Sequence, residues 1–319
     1  MGFITRHSTR KVVAFPILLT NDDGIHSPGL QGLASALNSK GHPLAILAPL
    51  TEQSAVGMKL TLRDDMKFQE HHEIADRIIK DPSTPLRAFS LDGSPCDCVI
   101  VAIDGGLKSR APGIEPWLCI SGINRGPNLS VDVLHSGTVS AAREAALYGL
   151  PSISVSLATY AHQDYSQSVE ATLAIVDRLS GILSGKPSNI LRPEGSKKRP
   201  IVGTEEESLR SWFTQGNIFL NINVPESWGG RYQTSPLGAR WYYNATDMMD
   251  KGEVGVAFEV GAAKIVDEDI PKTDCNAVNS GHVSITPLAS WPRNHPLGVP
   301  DEVLNAAMVE GEGGFPIWT

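Results

Sequence analysis

PILLTNDDGIHSPGL, residues 16–30, joins an apolar run to two adjacent carboxylates and then to a helix start. Val12 to Thr20 carries few polar positions, the pattern of a strand buried on both faces. Ser27 reads as a helix cap and Pro28 as a first-turn residue, with Leu30, Leu33, Ala34 and Leu37 on one apolar stripe. Gly41 ends the helix, and PLAILAP (residues 43–49) supplies a second strand. The opening is therefore β-α-β, with a parallel pair expected. Two acids at the end of a buried strand require an explanation.

The alternation continues outward from that stretch. Met58 to Glu70 and Arg87 to Leu91 read as strands, and Ser94-Pro95 opens a helix in PCDCVIVAIDGGL. WLCIS, Trp117 to Ser121, is a short buried strand running into a Gly/Asn-rich turn. Thr138 to Tyr148 is helical, Gly149 stops it, PSISVSL is the next strand, and Tyr165 to Leu183 is a long amphipathic helix. This order predicts an α/β fold, a doubly wound and mostly parallel sheet. Lys186 to Thr214 reads as an inserted loop, and NIFLNINVP as one more strand. Beyond Pro225, ARWYYNAT, VGVAFEVG and GHVSITPL alternate with Gly-rich turns and predict a C-terminal β-hairpin appendage, closed by a helix from Pro300 to Glu310. The expected division is a disordered extension over residues 1–11, a core over 12–225 with its insertion at 186–214, and a hairpin and oligomerisation region over 226–319.

Composition limits the partners. The 319 residues carry a net charge of −8, which disfavours a nucleic-acid duplex or an anionic membrane as a partner. Cys96, Cys98, Cys119 and Cys275 lack CxxC spacing and read as core residues of a reducing, cytoplasmic compartment. No run approaches the roughly 18 apolar residues of a membrane span. The basic start, MGFITRHSTRKVV, fits a disordered extension or a short organelle-targeting segment.

Ligands of a doubly wound sheet bind outside the carboxyl ends of its strands. Three such ends carry chemistry here: Asp22-Asp23 after the first strand, Ser54 after the second, and Asn124 after WLCIS. All are oxygen donors, suited to Mg²⁺, Mn²⁺ or Ca²⁺ rather than zinc. Adjacent carboxylates repel in a partly buried site unless a cation keeps both ionised, although an Asx-turn also uses Asp-Asp-Gly. His135-Ser136-Gly137-Thr138 precedes a helix. It is either an anion cradle of amides and hydroxyls or an ordinary cap. In GPNL, the amide of Asn128 would join that cradle, or the segment is simply a turn.

Other chemistries lack their residues. There is no G-x-x-x-x-G-K-[ST] phosphate loop, no G-x-G-x-x-G after a strand and no G-x-S-x-G elbow. A response-regulator receiver needs a phosphoacceptor Asp where this chain offers Asn124. A haloacid-dehalogenase-type phosphatase needs an Asp where it has Gly24.

The chain resembles the SurE-like (survival protein E) 5′/3′-nucleotidases. The resemblance rests on ILLTNDDGIHSPGL, AP-LTEQSAVG, LDGSPCDCV, ISGINRGPNLSVDVLHSGTVSAAREAALYGLPSISVSL and TDCNAV-NSGHVSITPL, spread from Pro16 to Leu288. It implies a Rossmann-like core and a divalent-metal-dependent phosphatase acting on nucleoside monophosphates. The metal ligands it implies are Asp22, Asp23, Ser54 and Asn124, with Asn128, Ser136, Gly137 and Thr138 on the phosphate. Asp22, Asp23 and Asn124 would be the catalytic set, Asp22 acting as nucleophile or as base. Ser94 stands where the family usually has Thr, and Cys275 and Asn276 where it usually has aromatic and small residues. A catalytically idle nucleotide- or metal-binding module on the same scaffold is the alternative, and the intact four-donor set favours the enzyme. Isolated hairpins are marginal in water, so the tail must pack on its own sheet or on a neighbour. The resemblance implies an exchanged C-terminal segment, hence a homodimer or a tetramer.

Overall fold

The computed structural model describes residues 13–195, 203–250, 255–261 and 264–319. The extension expected over residues 1–11 lies outside them, as do residues 196–202 of the expected insertion. The first strand, β1 (Ile17–Thr20), is buried throughout. Helix α1 (Pro28–Ser39) returns the chain to β2 (Leu44–Pro49), which pairs parallel with β1 in the expected β-α-β unit. There follow β3 (Phe68–Glu70), α2 (His72–Ile78), β4 (Leu86–Leu91), α3 (Pro95–Val101), α4 (Leu107–Arg110) and β5 (Leu118–Arg125). Then come α5 (Asp132–His135), α6 (Gly137–Leu147), β6 (Ser152–Leu157), α7 (Ser166–Leu179), α8 (Glu205–Thr214) and β7 (Ile218–Val224). The last part holds β8 (Tyr232–Thr234), β9 (Arg240–Tyr243), β10 (Thr246–Asp250), β11 (Val256–Val260), β12 (Lys264–Asp267), α9 (Asp274–Asn279), β13 (Val283–Ala289) and α10 (Asp301–Ala307).

Among the described residues nine strands form one sheet, in the order β3-β4-β2-β1-β5-β6-β7-β13-β8. Strand alternation separates the layers on its two faces. Ile17 and Leu19 of β1 join Leu30, Leu33 and Leu37 of α1 and Ile175 and Leu179 of α7. Leu18 points the other way, into a core with Val99 of α3 and Ala141 and Ala145 of α6. The sheet grows in one direction from β1 to β2 and β4 and in the other from β5 to β6 and β7. The switch point therefore lies between β1 and β5, where an open α/β sheet leaves its ligand crevice.

The structure corrects four expectations. Of Met58 to Glu70 only Phe68–Glu70 is a strand, antiparallel to β4. The preceding stretch is tied to the start of α3 instead: the Thr61 amide donates to Asp97, and Ser94 Oγ donates to the Lys59 carbonyl at 2.6 Å. The insertion is not all loop, because Thr204 and Glu207 form a capping box and α8 buries Leu209 and Phe213. That T-x-x-E signal was present in the sequence. GHVSITPL is not an appendage hairpin, because β13 runs antiparallel to β7 inside the main sheet and β8 pairs parallel with it at the edge. Two-stranded ladders remain for β9 with β12 and β10 with β11. The terminal helix spans Asp301–Ala307 rather than reaching Glu310. All four cysteines are buried and free, and among the described residues no helix is long and apolar enough to cross a membrane.

Candidate active site

The turn after β1 is built by Asn21. Its Nδ2 donates to the Gly24 carbonyl at 3.1 Å and to Ser27 Oγ at 2.7 Å. Ser27 makes no side-chain cap bond to α1, so its hydroxyl closes the turn instead of the helix end. Gly24 sits at φ +93°, a conformation that only glycine adopts without strain. The closed turn leaves the Asp22 and Asp23 side chains free for other partners.

Asp22 is buried against the N-terminus of α6. Its Oδ2 accepts from the Thr138 amide at 3.0 Å, and its Oδ1 accepts from the Thr138 hydroxyl. Burial raises its pKa to about 7, with the Asp23 charge adding and the two Thr138 bonds opposing. Gly137 is required for this approach. A Cβ there would meet Asp22 Cβ at 2.8 Å and the Gln53 carbonyl at 3.1 Å. Asp23 is half-buried and accepts from the Arg125 amide at 3.1 Å. Burial also pushes its carboxyl up, opposed by that amide and reinforced by Glu52.

Asn124 lies at the end of β5, just past a shift in the β5–β6 register. Its Nδ2 donates to the Gly126 carbonyl at 2.9 Å, which leaves Oδ1 as the end available to a ligand. Ser54 is exposed. Its hydroxyl donates to Glu52 Oε1 at 2.7 Å, while the neighbouring Gln53 amide donates to the Asp22 carbonyl at 2.7 Å. The loop after β2 is thus fastened to the turn after β1. The Gly57 amide extends the fastening to His135, next to the start of α6.

Three residues expected at a phosphate have hydrogen-bonding groups engaged elsewhere. The Thr138 hydroxyl and amide both serve Asp22, so the helix N-terminus already holds one anion, the carboxylate. Ser136 Oγ accepts from the Val139 amide at 3.0 Å, an ordinary cap. The Asn128 amide donates to Asn223 Oδ1 at 2.8 Å rather than facing the crevice. The Asn128 carbonyl accepts from Nδ2 of Asn221 and Nδ2 of Asn223, and its own Nδ2 donates to Ser156 Oγ. The sequence reading missed this buried polar floor. Its signal was N-I-N in an otherwise apolar strand, which puts two amides on one face. The turn-closing role of Asn21 was missed as well.

Among the described residues no three His, Cys, Asp or Glu side chains converge as metal ligands. Two acids, a side-chain amide and a nearby hydroxyl gather at the switch point of a mostly parallel sheet, and a helix N-terminus faces them. Fold and site define an α/β protein with an acidic, oxygen-rich crevice. The family model described as "Survival protein SurE" matches residues 17–244, and the chain belongs to the SurE family. The "5′-nucleotidase SurE" of Synechococcus sp. (strain JA-3-3Ab) is 34% identical over 276 residues, covering 85% of this chain and 90% of that protein. Its namesake in Geotalea uraniireducens (strain Rf4) is 36% identical over 281 residues, covering 85% and 92%. The crystal structure of SurE protein from Aquifex aeolicus superposes with a TM-score of 0.60 at 28% identity, over 87% of this chain and 94% of that one.

Proposed function

We propose that this chain is a divalent-metal-dependent phosphatase that hydrolyses nucleoside 5′-monophosphates, and 3′-monophosphates, to nucleoside and phosphate. Membership of a family whose relatives carry the name 5′-nucleotidase makes it a phosphoric monoester hydrolase. The observation that carries the metal is Asp22, a buried carboxyl whose pKa is raised to about 7 beside a second acid. A hard cation would keep both acids ionised, and the oxygen donors Asp22, Asp23, Ser54 and Asn124 fit Mg²⁺ or Mn²⁺, with Ca²⁺ suited to the same set. When bound, the cation supplies Lewis-acid stabilisation of charge on the transferring phosphoryl group.

The chain's own residues do the rest. Thr138 orients Asp22 through two hydrogen bonds, so the carboxylate needs little reorganisation during the reaction. Asn124, fixed through Gly126, presents Oδ1 to the cation. The N-terminal end of α6 favours negative charge and holds that of Asp22, beside which the phosphate would lie. Asp22 serves as nucleophile or as the base that takes the proton of an attacking water. Either way the water oxygen ends on phosphate and the nucleoside hydroxyl leaves with a proton.

The same proposal covers assembly and place. Trp241, Tyr243, Phe258 and Val260 lie exposed on the two ladders, and a homodimer, or a tetramer made from it, would cover them. Four free cysteines suit the reducing cytoplasm. Neither a nucleic-acid duplex nor a membrane is a partner. Phosphate release from 5′- and 3′-monophosphates of the common bases, with Mg²⁺ or Mn²⁺ present, tests the activity. Hydrolysis of nucleoside monophosphates supports it, and the absence of release from every one of them rejects it.

A further inference from the structure

The turn after β6 carries an aromatic side chain that the acid site does not explain. Thr159 pins this turn: its hydroxyl accepts from the Ala161 amide at 3.0 Å and donates to Glu226 Oε2 at 3.1 Å. The Ala158 amide adds a bond to the Val224 carbonyl at 2.8 Å. Tyr160 is therefore projected from a fixed backbone, yet it is 60% exposed. Its hydroxyl donates to no other described residue.

One edge of the ring lies on Gly126. A Cβ at Gly126 would stand 2.3 Å from Tyr160 Cε1 and Cζ and 2.5 Å from its hydroxyl, and Gly126 is at φ +109°. Gly126 is held on its other sides, its amide donating to the Leu157 carbonyl and its carbonyl accepting from Asn124 Nδ2. A continuous path thus runs from Asp23, through Arg125 and Asn124, to Gly126 and the ring of Tyr160 at the rim. Tyr160 therefore touches the loop that holds Asn124 and keeps more than half of its surface open. Partial burial and the charge of Asp132 push the phenol pKa up, Asp22 and Asp23 adding to them against Arg240. The ring stays neutral at ordinary pH and does not repel a phosphate ester.

We propose that Tyr160 is the platform on which the nucleobase stacks while the phosphate lies at the Asp22 end of the crevice. A flat, neutral, pre-positioned aromatic face accepts any base, because every base presents a π-face. Tyr160 is then a specificity-determining residue that selects nucleotides over phosphate esters with no base. This rests on the nucleotidase reading of the same site.

The test compares 5′-AMP with base-free ribose 5-phosphate on the wild type, Tyr160→Ala, Tyr160→Phe and Tyr160→Trp, at saturating Mg²⁺ or Mn²⁺. Tyr160→Ala is expected to lower the ratio of kcat/KM for AMP to that for ribose 5-phosphate about tenfold, mainly through KM for AMP. Phe and Trp, which keep the ring, are expected to restore the ratio. Equal losses on both substrates, an unchanged ratio in Tyr160→Ala, or a ratio in Tyr160→Phe as low as in Tyr160→Ala would overturn the platform. Calorimetric titration with AMP and with inorganic phosphate separates this inference from the activity itself. If the wild type hydrolyses neither ester, the proposed function falls. The platform then stands only if Tyr160→Ala weakens AMP about tenfold and leaves phosphate binding unchanged.

Discussion

Strands β1 and β11 are both short and mostly apolar, yet every residue of β1 is buried while Val256, Phe258 and Val260 of β11 are each more than half exposed. The first lies between two parallel neighbours with helices over both faces, and the second, among the described residues, pairs only with β10. Apolar sequence alone did not decide their fate. The surroundings did: β1 is closed by its own chain, whereas the β10–β11 ladder leaves apolar side chains exposed. The acid site belongs to the closed region, where Thr138, Gly137 and Arg125 hold the carboxylates in place. The other ladder, β9 with β12, is tied to the core at Arg240, whose buried guanidinium bonds Asp132 of α5 at 2.9 Å and Asp267 of β12 at 2.7 and 2.9 Å.

Breaking that joint should give the largest effect. Arg240→Ala leaves buried Asp132 and half-buried Asp267 without their cation, and a loss of about 3–5 kcal/mol is expected in urea unfolding. A loss below about 1 kcal/mol would mean that this ladder and the core are not coupled through this residue.

Asp22→Asn sharpens the contrast inside the core. Turnover is expected to fall roughly 10²-fold or more, the scale for removing one preorganised electrostatic group. Stability should move the other way in the metal-free chain. The folded pKa of Asp22, about 7, lies above the ordinary aspartate value of 3.8, so wild-type stability falls as pH rises through that window and stays reduced above it. The asparagine variant has no such decline. Thermal melting in chelator should therefore find it more stable than the wild type at pH 8, and equal melting temperatures would contradict the buried acid.

Thr138→Ala addresses the redirected hydroxyl. The sequence put this side chain on phosphate, whereas in the structure its hydroxyl, like the backbone amide of Thr138, donates to Asp22. About tenfold weaker Mn²⁺ binding is expected by calorimetry, the order of loss for one charge-assisted bond. Thr138→Ser, which keeps the hydroxyl, should restore most of it. A change in phosphate affinity alone would return Thr138 to its first assignment.

The smallest effect concerns Glu144, buried on α6 away from the acid pair. Burial, aided by Asp97, raises its pKa to about 7 from the ordinary glutamate value of 4.5. Stability associated with it is lost as pH rises through that interval. Glu144→Gln should stabilise the chain by about 1 kcal/mol at pH 8 and by nothing measurable at pH 4. Equal gains at both pH values would show that its ionisation is not the cause.

Much of the core could be read from residue pattern because its signals are local. The apolar run before Asn21, the stripe from Leu30 to Leu37 and the glycine stop at Gly41 each act within a few residues. Asp22, Asp23 and Asn124 were legible as oxygen donors at strand ends, since a parallel sheet forces those ends to one edge. What escaped depends on distant partners. Ser27 looked like a cap, but Asn21 takes its hydroxyl. Thr138 looked like a phosphate ligand, but the adjacent Gly137 lets Asp22 reach it. GHVSITPL looked like a hairpin strand, and only its pairing with β7, some sixty residues earlier, places it in the sheet. Tyr160 carried no sequence signal at all, because its meaning comes from lying on Gly126.

The central claim is that the acid pair works through a divalent cation. Phosphate release from 5′-AMP should be followed with chain stripped by EDTA and dialysed, before and after Mg²⁺ or Mn²⁺ is returned. The account predicts no detectable release from the stripped chain and recovery with either ion. Undiminished turnover by the stripped chain would contradict it.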